Sequence, residues 1–145
     1  MYTYLPTNHF LKKTLLFILF LVPFLFLAAG CSRNDTPSKA EDVDFTVVSG
    51  TDIPGDLKEL IQTRQKEPFE LTYTDGSCLY IVKGYGKQKS SGFHIVVNDF
   101  YLSEDCLVFD AELFGPKPDE EVSSKTSYPY IVIKTEYREE PVIFP

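Results

Sequence analysis

The sequence predicts a mainly β, α+β domain: an antiparallel sheet or sandwich of about five to seven strands with one N-terminal helix packed on it. Two observations carry this. From Phe69 onward apolar residues recur at every second position, first as Phe69, Leu71 and Tyr73, later as Leu107, Phe109, Ala111 and Leu113. That period is the signature of a half-buried strand. Before it, T-D-I-P-G-D-L-K-E-L-I-Q-T-R-Q-K puts Leu57, Leu60 and Ile61 on one face of a helix.

Taken in order, residues 1–30 have a different composition from the rest. They hold no acid, carry Lys12 and Lys13, and then run uncharged from Thr14 to Ala29, broken by Pro23. This is the layout of a signal peptide, and the run is short for a permanent span. The following A-A-G-C-S is similar to a bacterial lipobox, although Ala28 stands where Leu is usual. The similarity implies lipid on Cys31 and attachment to the extracytoplasmic face of a cell membrane. Residues 31–44 are polar and read as a flexible tether, leaving 45–145 as one small domain. Within it, Phe45 to Val48 is a short strand. Asp52 is placed to cap the helix, Pro54 suits its first turn and Pro68 stops it. Asp75-Gly76 turns the chain from the strand at Phe69 to Tyr73 into Leu79 to Val82. Phe93, Ile95 and Val97 form the next strand, with Asn98-Asp99 beginning a reversal. The strand from Leu107 follows, then a G-P-K-P-D-E-E loop, and Tyr130 to Thr135 and Val142 to Phe144 complete the domain.

All 21 acids lie after Cys31, so removal of the leader makes the net charge of −7 still more negative. Such a surface is repelled by nucleic acid, which is excluded as a partner. Lys83, Lys87 and Lys89 form the one local basic patch against that background, readable as solubilising charge on an exposed hairpin or as a contact surface. Cys78 and Cys106 remain once Cys31 is assigned to lipid. An exported chain favours a disulfide. The first and third strands of a simple meander, however, lie about 9.5 Å apart, too far to bridge unless the third strand crosses to another sheet.

No catalytic signature emerges. His94 is the one histidine after residue 30, on the strand face opposite Phe93, Ile95 and Val97. Ser90 or Ser91 with His94 lacks the nucleophile elbow of a serine hydrolase. G-Y-G-K at 84–87 is followed by a strand instead of the helix that a phosphate loop requires. Asp119, Glu120 and Glu121 are a charge run without calcium-loop spacing. The expectation is a non-enzyme with no catalytic residue, cofactor or metal.

Two loops carry the functional reading. Gly84 to Phe93 is longer than a turn requires, and long loops on rigid sheets bind partners. Ser127-Tyr128-Pro129-Tyr130 holds two aromatics around a fixed Pro, the chemistry of a binding anchor; the alternative is a strand start with Tyr130 buried. Partner binding is therefore assigned to Gly86, Lys87, Lys89, Ser90, Ser91, Gly92, Phe93, Tyr128, Pro129 and Tyr130, with Phe93 or Tyr128 as the hydrophobic anchor and close backbone contact at Gly92.

These residues also carry a resemblance. Gly86-Lys87-Gln88-Lys89-Ser90-Ser91-Gly92-Phe93, then Pro118, Val122 and Ser127 to Tyr130, resemble in order and spacing the C-terminal domain of the protease complex subunit PrcB family over Leu79 to Ile133. Lys89, Ser91 and Phe93 depart from that family's Pro, Gly and Tyr. The resemblance implies an exported, lipid-anchored accessory protein without catalysis of its own, whose partner is a secreted or surface protease. A weaker likeness, Gln88 to Phe93 against the loop of chagasin-type inhibitors, implies a protease inhibitor that presents three loops from one end of a sandwich. A structural envelope lipoprotein is the third alternative.

Overall fold

The computed structural model describes residues 37–145. The signal peptide and Cys31 lie outside them. Eight strands and one helix follow in order: β1 (Glu41–Asp42), β2 (Thr46–Val47), α1 (Gly55–Arg64), β3 (Pro68–Asp75), β4 (Cys78–Tyr85), β5 (His94–Leu102), β6 (Leu107–Phe114), β7 (Tyr130–Glu136) and β8 (Val142–Ile143). They form two sheets, β1-β5-β6-β8 and β2-β7-β4-β3. All pairings are antiparallel except β6 with β8, which is parallel because the chain crosses beneath the sandwich after β7 and returns in the direction of β6.

Alternation explains the layers. On β4, Leu79 and Ile81 face the other sheet and meet Ile131 and Ile133 of β7, Phe100 of β5, and Leu107, Phe109 and Ala111 of β6. Tyr80 and Val82, on the opposite face of β4, join Val132 in packing against Ile53, Leu57 and Ile61 of the helical segment. The β2-β7-β4-β3 sheet is thus covered on both sides, which is why its central strands read as continuous apolar runs, L-Y-I-V and I-V-I. Phe109 is fully buried at the centre, with Phe100 and Phe144 edge-on at ring distances of 6.0 Å. On the outer face of the other sheet, Tyr101, Cys106 and Val108 form a smaller cluster.

Several expectations change. Asp52 sits in a 3-10 turn at Gly50–Asp52, and no side chain caps α1, whose N-cap is Pro54. Leu60 remains 40% exposed, because Leu57 and Ile61 alone reach the sheet. Asn98-Asp99 is a bulge within β5, not a reversal. Val97 pairs with Ala111 and Asp99 with Asp110, leaving Asn98 unpaired. The extra residue moves the inward phase from Ile95 and Val97 to Phe100 and Leu102, so both halves of a nine-residue strand serve one core. Part of the stretch read as tether also lies on the sheet: β1 pairs with Tyr101 and Leu102, Val43 is buried, and the Tyr101 hydroxyl donates to the Pro37 carbonyl at 2.7 Å. Cys78 opens β4, Cys106 immediately precedes β6 of the other sheet, and both are free.

Candidate functional site

The segment Gly86 to Phe93 is not a hairpin loop. It carries the chain from β4 in one sheet to β5 in the other, and residues 115–129 carry it back from β6 to β7. β4 and β6 end, and β5 and β7 begin, at the same end of the sandwich, so the two crossovers run side by side there. Backbone hydrogen bonds zip them together. The Gln88 N–H donates to the Ser127 carbonyl at 2.9 Å, and the Ser127 N–H returns a bond to Gln88 at 3.2 Å. Nearer β5, the Ser91 N–H donates to the Ser123 carbonyl at 2.9 Å while the Ser123 N–H donates to Ser91 Oγ at 2.9 Å. Ser127 Oγ donates to the Ser90 carbonyl at 2.6 Å. Short hydroxyl side chains suit this role, because they reach backbone groups that no regular ladder serves.

Gly92 makes the junction possible. Its φ of 87° lies in the left-handed region, and a Cβ there would stand 2.5 Å from Val122 Cγ1 and 3.0 Å from Pro116 Cβ. Only glycine supplies both the conformation and the room. Gly86, also left-handed at φ 68°, is buried against Pro68. Gly84 answers a different need: directly opposite Phe69 in the β3–β4 pair, it leaves space for that ring, whose Cε1 would be 2.1 Å from an added Cβ.

The side chains assigned to binding divide. Lys87 and Lys89 are exposed; Ser90, Ser91, Phe93, Tyr128 and Pro129 are half-buried. Phe93 rests its ring edge on Gly115, 3.5 Å from where a Cβ would stand. Tyr130 opens β7 opposite Gly84 and is 37% exposed, so the reading in which it is buried does not hold. His94 is exposed and stacks on Phe114 at 5.5 Å.

The basic patch has different members from those expected. Lys83 points between the layers, its side chain only 14% exposed, 4.0 Å from Glu70 and 6.0 Å from the Tyr85 ring. Lys66 takes its place, brought in by a bond from the Lys87 N–H to the Lys66 carbonyl at 3.2 Å. Between them opens a cleft of about 550 Å³ lined by Lys66, Glu67, Pro68, Tyr85, Lys87 and Tyr128. The sequence reading missed Lys66 and Tyr85, yet hairpin register contains the signal. Counting back from the Asp75–Cys78 pair places Pro68 opposite Tyr85 and so sets the helix exit beside the crossover.

Tyr85 fixes this end of the two sheets to each other. Its hydroxyl donates to the Ala111 carbonyl on β6 at 2.5 Å. Burial pushes the Tyr85 hydroxyl up to about 12, and the nearby carboxylates of Asp110, Glu112 and Glu70 add to the shift.

Residues 79–136 match the family model described as PrcB C-terminal. No curated protein and no solved structure matches the chain.

Proposed function

We propose, from the match of residues 79–136 to the PrcB C-terminal model, that this chain is a non-catalytic accessory subunit of a protease complex, held on the extracytoplasmic face of a membrane by lipid on Cys31. The PrcB C-terminal match suggests a protease-complex-associated domain and is consistent with a protein partner. The observation that carries the finer reading is the zipping of the two crossovers. The segments bearing the family's motifs, 86–93 and 127–130, lie far apart in sequence and form one continuous surface joined through Gln88 and Ser127. A surface whose backbone bonds are already made loses little entropy on docking, as binding loops require.

Affinity capture with the full chain from its native envelope, after mild crosslinking, tests the proposal. A protease is expected with the wild type, and its recovery is expected to fall with Tyr128→Ala and with Gly92→Val. Recovery of no protease, or of the same proteins with all three baits, contradicts it. A second reading draws on the convergence of residues 88–93, 115–121 and 128–130 at one end of a two-sheet sandwich, the arrangement by which a chagasin-like inhibitor would grip an enzyme. Addition to the captured protease separates the two: a subunit preserves or raises activity, an inhibitor lowers it.

A further inference from the structure

We infer that the cleft between Lys66 and Lys87 receives an acidic segment of the protein partner, an inference that rests on the protein-binding reading above. Three hydrogen-bonded segments bring five exposed lysines to this end of the sandwich: Lys66 at the helix exit, Lys87 and Lys89 on the first crossover, and Lys117 and Lys125 on the second. None of the five lies within ion-pair distance of a carboxylate among the described residues; Lys58, Arg64 and Lys134 are likewise unpaired, so what sets Lys66 and Lys87 apart is that they line one cleft. In a chain of 21 acids and 14 bases, like charges gathered in this way make a local positive field that attracts an anion.

Shape and surroundings select the kind of anion. The site is a cleft, and half-buried Tyr128 lines it, offering an aromatic face and a hydroxyl. Carboxylate side chains spaced along an extended peptide can use the ammonium groups while an apolar neighbour lies on the ring. The same crossover also exposes Asp119, Glu120 and Glu121, and Glu67 shares the cleft rim. A broad anionic bilayer would meet these acids together with the lysines, but a single peptide strand can avoid them. The acids also confer direction, since the peptide's own carboxylates are repelled where they stand.

Fluorescence anisotropy of a labelled glutamate- and leucine-rich peptide, titrated with the full chain, tests this. The glutamine analogue of the peptide and phosphatidylglycerol vesicles are run alongside. Binding of the acidic peptide is expected, weakening about tenfold in the double variant Lys66→Glu/Lys87→Glu and about threefold when salt rises from about 0.15 M to about 0.5 M. Lys58→Glu, the same charge change on the far part of the helix, is expected to leave it within about twofold. Equal binding of the glutamine peptide, equal loss in Lys58→Glu, or lysine-dependent binding to vesicles in place of peptide would overturn the inference. Capture of the partner by Lys66→Glu/Lys87→Glu but not by Gly92→Val would end this inference and leave the protein-binding proposal standing. Absence of any captured protease would end that proposal.

Discussion

The middle of this sandwich and its crossover end are held together by different means. Between the sheets, Ile81, Leu107, Phe109 and Ile133 are fully buried, and the strands that carry them are spaced by strict alternation. At the crossover end no apolar side chain of the segments 86–93 and 115–129 is fully buried. The segments 86–93 and 115–129 are joined by backbone bonds, serine hydroxyls and a left-handed glycine. The difference teaches that the two regions answer to different substitutions: the core is sensitive to lost volume, whereas the end depends on backbone geometry at a few points.

The largest effect should come from the core. Phe109→Ala empties the space between Phe100 and Phe144, and a loss of about 3 to 5 kcal/mol is expected from denaturant unfolding. A loss below about 1 kcal/mol would mean that the sheets are not packed as described. Gly92→Val is next. Strain at positive φ and the collision with Val122 should cost about 2 kcal/mol, with unfolding still cooperative and partner recovery abolished. Unchanged recovery would separate the junction from binding.

Tyr85→Phe removes the hydroxyl that joins the sheets, at an expected cost of about 1 kcal/mol near neutral pH. It should also change the alkaline behaviour. The folded hydroxyl titrates near 12, above the usual tyrosine value of 10.0, so the folded state holds its proton over a range where the unfolded chain has released it. The stability from Tyr85 is complete below pH 10.0 and declines as pH rises toward 12. Chemical denaturation across that range should show a shallower decline in the variant, and parallel curves would contradict the assignment. Ser127→Ala should have the smallest effect, about 0.5 kcal/mol, because only the bond to the Ser90 carbonyl is lost while the backbone bridge to Gln88 remains.

The same contrast explains what was legible in the sequence. Strands built on alternation could be read directly, as could the turn at Asp75-Gly76 and the helix whose Leu57 and Ile61 are buried. The β5 bulge could not, because Asn98-Asp99 has the chemistry of a turn and only pairing with β6 shows that the strand continues. Nor could the sheet assignment of successive strands, since alternation shows that a strand has an inner face without showing which sheet it joins. That gap turned a crossover into an apparent hairpin, and it placed Lys83 in a surface patch although Glu70 and Tyr85 hold it between the layers. Loop length, the Tyr-Pro-Tyr aromatics and motif order singled out Gly86 to Phe93 and Tyr128 to Tyr130 in the sequence, whereas the hydrogen bonding between the two segments was not legible there. The serine bridges lay outside that reading, because they depend on which carbonyls the fold leaves unpaired.

The central claim is that the zipped crossover end is the surface a protein partner covers. Amide hydrogen exchange of the full chain, with and without the captured protease, tests it most directly. Added protection is predicted at residues 86–93 and 122–130, with the open edge of β3 exchanging as before. Protection confined to β3 or to the groove beside Phe45 and Glu136, with 86–93 unchanged, would contradict it.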